Sequence, residues 1–266
     1  MSLLALDVGG TKLAASFGDR SARAPTPASG EAALDALLEL GESVVAGDVR
    51  GVGVSFGGHV DARRGVVARS LHVPGWEDVP LAAAVAKRFR APAAVENDAN
   101  AGALGEWDDA GRPSAPLCYV TVSTGVGAGL VVSGEVLRGR DGLAGEVGHL
   151  VVDPAGPLCA CGRRGCVEAV ASGPAIARRG GDDRAFADAA RALAVAVAAL
   201  IAVVNPAVVA IGGGVAEAGP PLWDPLLAEL RAIAWPQVTT EVRPAPDDAP
   251  LRGARVLAER AATRYG

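Results

Sequence analysis

Cysteine is scarce in this chain: four in 266 residues. So few, in a chain this long, do not make the disulfide framework of a small secreted domain. The opening MSLLALDVGG lacks a basic n-region and a cleavage site, so no signal peptide is expected. Aromatic residues are only 4% while hydrophobic residues are 50%, so the core is built from Ala, Val and Leu. There is no long Lys/Arg tract and the net charge is -5, which speaks against a nucleic-acid partner. The most apolar run, ALAVAVAALIAVV (192–204), is shorter than the roughly 20 residues that span a bilayer. It is predicted to be a buried helix, with no membrane as partner and a cytoplasmic location. Glycine, by contrast, is abundant: 35 residues, about twice the usual share, many in clusters.

Three of the four cysteines crowd into HLVVDPAGPLCACGRRGCVEA (149–169). Cys159, Cys161 and Cys166 are separated by Gly, Arg and Ala, which suits a tight knuckle. His149 supplies a fourth ligand, and one His with three Cys is a closed tetrahedral set for structural zinc. Two other readings stand beside it. One is three small buried residues near a core histidine, against which the flanking Gly and Arg speak. The other is a redox pair, against which the CxC spacing speaks. Cys118, in PLCYVTV, reads as a plain core residue.

Two segments share one pattern. LLALDV, GGTK and LAASFGD read as strand, glycine turn, strand; so do LCYVTV, STGVGAG and GLVVSGEVL. A Walker loop or dinucleotide fingerprint needs a helix after its glycines, and here strand character continues. Glycines at a hairpin turn let backbone N–H groups approach phosphate oxygens. Either segment alone also fits an ordinary β-turn. The pair, with Asp7 before one and Thr121, Ser123 and Thr124 around the other, points to two turns gripping a polyphosphate. A third cluster, Gly212, Gly213 and Gly214 after the strand VVAI, offers a side-chain-free surface for a purine ring. Between them lies VENDANAGALGEW, where Asp98 falls at a strand-to-helix junction. An Asp or Asn there caps a helix. Glu96, Asn97, Asp98 and Asn100 together exceed what a cap needs. The carboxylate suits proton acceptance from a substrate hydroxyl, and the amides suit hydrogen bonds to that substrate.

LALDVGGTKLAAS, GVGVSFGGHVD, VENDANAGALGE, VSTGVGAGLVVSGEVLRGRDGLAGEVGH, CACGRRGCVEAVASG and NPAVVAIGGG stand in the order seen in the ROK family. The chain resembles that family, bacterial sugar kinases and related sugar-responsive repressors, over nearly its whole length. GEVGH followed by CxCGxxGCxE is the most specific part. The resemblance implies an α/β, actin-like ATPase (ribonuclease H-like) fold of two domains around a central cleft. The expected domains are 1–101, with the final helix 251–266 packing back on it, and 102–250 with the knuckle.

The resemblance also implies roles. Asp98 is similar to the catalytic base. Asn97, Gly57, Gly58, Glu146, His149 and Glu168 match sugar-binding positions, and His149 is also a zinc ligand with Cys159, Cys161 and Cys166. Asp7, Gly9, Gly10, Thr11 and Lys12 match the first phosphate loop, with Asp7 near Mg²⁺; Thr124 and Gly125 match the second. Gly213 and Gly214 match the adenosine side. The chain departs from the pattern at Phe56, where Pro is usual, and at His72, where Asn often precedes PGW. It also looks trimmed between Pro174 and about Ala187. The expected function is ATP-dependent phosphorylation of a hexose primary hydroxyl, glucokinase-type, by a homodimer. Alternatives are N-acetylglucosamine, N-acetylmannosamine, mannose or fructose as substrate, or a non-catalytic sugar sensor. A repressor would need a DNA-reading domain, for which a first strand at Leu3 leaves no room. The knuckle is expected to organise the sugar side, and nucleotide binding at the distant glycine turns is expected to survive its loss in a folded variant.

Overall fold

A computed structural model describes residues 2–70 and 73–264. The run LLALDV forms β1 (Leu3–Val8), and β2 (Lys12–Phe17) returns antiparallel to it with Val8 opposite Leu13. β3 (Arg20–Pro25) closes the meander as an edge strand with exposed Arg20 and Ser21. Helix α1 (Gly30–Val44) starts at the cap Ser29, whose hydroxyl accepts from the Ala32 N–H. β4 (Gly51–Phe56) is buried along its whole length, as expected of a central strand, and runs parallel to β1. A small antiparallel sheet of β5 (His59–Asp61), β6 (Val66–Arg69) and β7 (Glu77–Val79) follows. Then come α2 (Leu81–Phe89), β8 (Ala93–Asn97), parallel to β4, and α3 (Asp98–Asp109). The main sheet has the order β3-β2-β1-β4-β8.

The chain then repeats this plan. β9 (Leu117–Val122) and β10 (Val126–Val132) are antiparallel, as are β10 and the short β11 (Glu135–Val136). After the cysteine segment come α4 (Val167–Ala171), α5 (Gly173–Arg178) and α6 (Asp183–Val204). β12 (Val208–Gly212) is parallel to β9, α7 (Pro220–Ile233) crosses over, and β13 (Glu241–Pro244) is parallel to β12. The order is β11-β10-β9-β12-β13. Helix α8 (Ala249–Arg264) ends the chain.

Two compact units result: residues 1–112 with 248–266, and residues 113–247. The expected boundary at residue 101 falls inside α3. That helix lies in the first unit because α3 and α8 pack backbone to backbone: a Cβ on Gly253 would sit 1.7 Å from the Ala101 carbonyl oxygen. α8 meets the sheet in the same way, since a Cβ on Gly53 would lie 1.8 Å from the Ala254 oxygen. In the second unit the apolar run 192–204 is part of the 22-residue α6, long and apolar enough to cross a membrane by length and composition. The expectation that it is too short therefore fails, because the helix begins upstream at the cap Asp182. Leu193, Val197, Leu200 and Ile201 pack into the same core as Val120 and Ile211. Burying each such side chain contributes about 1.5–3 kcal/mol. The helix ends at Asn205, left-handed at φ 48°, just before Pro206.

Candidate active site

In the first unit β8 delivers its last residues to the end of the sheet. Asn97, with φ -61° and ψ 148°, is the cap of α3: its side-chain oxygen accepts from the N–H groups of Ala99 (2.9 Å) and Asn100 (3.3 Å). Asp98 is the first residue of the helix rather than its cap. The Asn97 amide donates to the Gly58 carbonyl and to Asp98 Oδ1, each at 3.0 Å, and the Ala99 N–H donates to the same Oδ1. One asparagine thus caps the helix, ties down the Gly57–Gly58 loop and orients the carboxylate. Gly57 lies beside Asp98 Oδ2, a Cβ there being 3.8 Å away, and its N–H donates to the Val8 carbonyl at 2.8 Å. Burial, and then the negative charge of Asp7, push the Asp98 carboxyl up to about 7 against the opposing hydrogen bonds.

Asn100 does not join this face. It is buried, and its amide donates to Glu96 Oε1 at 3.0 Å, which also accepts from the Asn97 N–H at 3.0 Å. The expected substrate contact is replaced by a buried brace under the cap, because the fourth residue of the junction turns inward with the helix.

At the first glycine turn, the Gly9 N–H donates to the Lys12 carbonyl at 2.9 Å, leaving Gly10 and Thr11 exposed at the tip. The Thr26 hydroxyl donates to the Gly9 carbonyl at 2.7 Å, and the Thr26 N–H to the Thr11 carbonyl at 3.1 Å. Thr26 escaped the sequence reading: it lies 17 positions from Gly9 in no motif. Asp7 stands in β1 opposite Ala14 on one side and Ser55 on the other.

At the second turn, the Ser123 N–H donates to the Gly125 carbonyl at 2.9 Å, and Thr124 is exposed. The third glycine cluster is not one flat surface. Gly212 lies against the Tyr119 ring, and Gly213, at φ 92°, would place a Cβ 2.5 Å from the Val122 carbonyl oxygen. Their missing side chains serve β9. Only around Gly214 is the space open.

The segment GEVGH places two further side chains. A Cβ on Gly145 would lie 1.9 Å from the Ala128 oxygen, and φ there is 94°, so only glycine lets this segment lie against β10. Glu146 and His149 follow, with His149 Nε2 3.7 Å from Glu146 Oε2. The other ring nitrogen, Nδ1, lies 3.7 Å from Cys159 Sγ, and Cys161 and Cys166 have their sulfurs 3.6 Å apart. That separation is a non-bonded contact, far from the roughly 2.05 Å of a disulfide. All four ligand atoms lie within 4.8 Å of one another. A tetrahedral ion with bonds of about 2.3 Å has edges of about 3.7 Å, so the set fits zinc. The knuckle is folded by Cys159 N–H to Arg163 carbonyl (2.7 Å) and Gly162 N–H to Cys159 carbonyl (2.9 Å). The Arg163 backbone and side chain pull the Cys161 thiol down to about 6, and burial pushes Cys166 up to about 12. Cys118 is a buried core thiol, also pushed up to about 12 by burial.

Glu168 corrects one expectation. Its Oε2 accepts from the Val126 N–H at 3.1 Å, directly after the second glycine turn, so that turn is not distant from the knuckle. His59 is exposed on β5, and His72 lies outside the described residues.

The model of the ROK family matches residues 3–189. A glucokinase of Thermotoga maritima is 40% identical, covering 76% of this chain and 77% of its own. An N-acetylmannosamine kinase of Salmonella newport is 39% identical, covering 71% and 67%. Among solved structures, a ROK hexokinase from Thermus thermophilus matches with a TM-score of 0.83 and 34% identity over 100% of both chains. A ROK family glucokinase from Streptomyces griseus in complex with glucose and AMPPNP matches with a TM-score of 0.83 and 30% identity over 97% and 99%. The fold is the α/β actin-like ATPase type with mixed sheets, and the chain belongs to the ROK family.

Proposed function

We propose that the protein transfers the terminal phosphoryl group of ATP to the primary hydroxyl of a hexose, as a glucokinase-type enzyme. The observation that carries this reading is Asp98, a carboxyl poised at about 7 by burial and by Asp7. A general base works best with a pKa near the working pH. Asp98 takes the hydroxyl proton as the oxygen bonds to phosphorus and the bond to ADP breaks. The transition state is loose, so the remaining groups position substrates and neutralise charge. Asn97, Gly57 and Gly58 face the sugar in the first unit, and Glu146, His149 and Glu168 bind its hydroxyls in the second. Backbone N–H groups of Gly10, Thr11 and Lys12, and of Thr124 and Gly125, donate to phosphate oxygens, while the Gly9 N–H closes the first turn on the Lys12 carbonyl. Asp7 stands where Mg²⁺ would be held to neutralise them. Of the third cluster, Gly214 has the open space an adenosine needs.

His149, Cys159, Cys161 and Cys166 would hold zinc as a structural ion, with no ligand position left for water. His149, whose Nδ1 lies on the Cys159 side, would hold the ion through that nitrogen and keep Nε2, on the Glu146 side, to address a sugar oxygen. Metal analysis should find about one zinc per chain. The reading includes a cytoplasmic homodimer. Relatives named for glucose and for N-acetylmannosamine make the sugar an experimental question. Purified zinc-loaded protein should release ADP only with sugar and Mg²⁺ present, assayed with glucose, mannose, fructose, N-acetylglucosamine, N-acetylmannosamine and allose. Absence of turnover across that panel would sink the kinase reading.

A further inference from the structure

We propose that Glu168 is a positioning residue that fastens the second glycine turn to the cysteine knuckle, so that the metal site shapes the nucleotide side as well as the sugar side. The proposal rests on the reading of Ser123–Gly125 as a phosphate-binding turn. Its grounds are geometric. Cys166 is both a candidate metal ligand and the cap of α4, with φ -62° and ψ 148°. Glu168 is the second residue of that helix, so whatever fixes Cys166 fixes the stem from which Glu168 reaches. One carboxylate oxygen, Oε1, is 4.0 Å from Cys159 Sγ; the other, Oε2, accepts from the Val126 N–H at 3.1 Å. Gly125 leaves room for this: a Cβ there would lie 2.8 Å from Oε2.

The same stretch ties the turn a second time. The Glu168 carbonyl accepts from the Ser172 N–H at 3.1 Å, and the Gly173 N–H donates to the Ser123 carbonyl at 2.7 Å. Both ends of the turn, the Ser123 carbonyl and the Val126 N–H, are thus held by residues just after the last cysteine. A turn that presents N–H groups to phosphate needs a fixed direction, because a preorganised donor loses nothing to reorientation on binding. A carboxylate is an unexpected clamp beside a phosphate site, since its charge opposes the ligand. What the clamp needs is the acceptor oxygen. This separates the positional role from a charge effect, because Gln keeps an acceptor of the same reach.

The experiment is calorimetric titration of zinc-loaded full-length protein with AMPPNP, without sugar, so that any sugar contact of Glu168 drops out. Amide hydrogen exchange at Val126 is measured alongside. Glu168→Ala should keep its zinc, lose protection at Val126 and bind AMPPNP about tenfold more weakly, the scale of one lost hydrogen bond to a charged group. Glu168→Gln should restore protection at Val126 and bind AMPPNP at least as tightly as the wild type. Chelating the metal from the wild type should weaken AMPPNP by a similar factor; chelating it from Glu168→Ala should cause no further loss. If Glu168→Ala fails to fold, Glu168→Asp, one methylene too short to reach Val126, is expected to show the same loss. Wild-type AMPPNP affinity in a folded, zinc-loaded Ala or Asp variant overturns the coupling. Absence of AMPPNP binding to the wild type overturns the phosphate reading itself, and the proposal with it.

Discussion

The order β3-β2-β1-β4-β8 in the first unit is repeated as β11-β10-β9-β12-β13 in the second, with the same two antiparallel and two parallel pairings. What differs is where each unit inserts extra chain. Both units place a helix between the fourth and fifth strands, α2 and α7, but the first adds β5, β6 and β7 before it, and its fifth strand, β8, then runs straight into Asn97 and Asp98. The second adds the knuckle, α4, α5 and α6 between its third and fourth strands, and carries its polar side chains on that insertion. The turns differ in the same sense. Gly9–Thr11 is braced by a neutral hydroxyl, Thr26, just past the end of β3; Ser123–Gly125 is braced by Glu168 from the insertion. The repeated frame supplies two hairpin turns, and the insertions decide which chemistry stands beside each.

Four substitutions sharpen that contrast. Asp98→Asn removes the base from the first unit and leaves the second intact. It should lower kcat by roughly 10²–10⁴, the range for a positioned general base, with far smaller changes in sugar affinity. A variant with near wild-type kcat would move the base elsewhere. Gly145→Ala and Gly53→Ala compare backbone packing in the two units. Gly53→Ala forces a Cβ against the Ala254 oxygen and should cost about 1–3 kcal/mol in denaturant unfolding. Gly145→Ala adds left-handed strain at φ 94° to a similar clash and should cost more, by about 1–3 kcal/mol. Equal costs would show that the loop at Gly145 relaxes.

The pH dependence is subtler. Asp98 holds its proton more tightly folded, at about 7, than unfolded, at about 4, so it subtracts stability as pH rises through that window. Asp98→Asn should therefore be more stable than the wild type at about pH 8, by about 1–2 kcal/mol once partial exposure to water is discounted, and equally stable near pH 4. A constant difference across the range would mean that the carboxyl titrates normally. The smallest effect belongs to Thr26→Val, which loses one neutral hydrogen bond worth about 1 kcal/mol. It should raise KM for ATP a few-fold with kcat nearly unchanged; an unchanged KM would show that the first turn needs no brace.

The strand, glycine turn, strand pattern was legible twice because short continuous apolar runs flanking glycines have few other solutions. The knuckle was legible because its ligands lie close in sequence. What sequence could not give were orientations. ENDAN reads as one cluster of four polar residues around Ala99, yet helix geometry points Asn97 and Asp98 one way and Asn100 inward to Glu96. GGG reads as one surface, yet two of its glycines are filled by β9. Thr26 and the bond from Val126 to Glu168 join residues 17 and 42 positions apart, beyond any local pattern. The start of α6 was missed because its first turns, rich in Asp and Arg, hide the apolar face that Ala185 and Ala189 continue.

The central claim is that Asp98 is a base poised near neutrality by burial and by Asp7. The most direct test is the pH profile of kcat/KM for the sugar, with both substrates kept below their KM, since this ratio reports the free enzyme. A single ionisation near 7, below which the rate falls about tenfold per pH unit, is the expected result. A flat profile between about pH 5 and about pH 8 would contradict it.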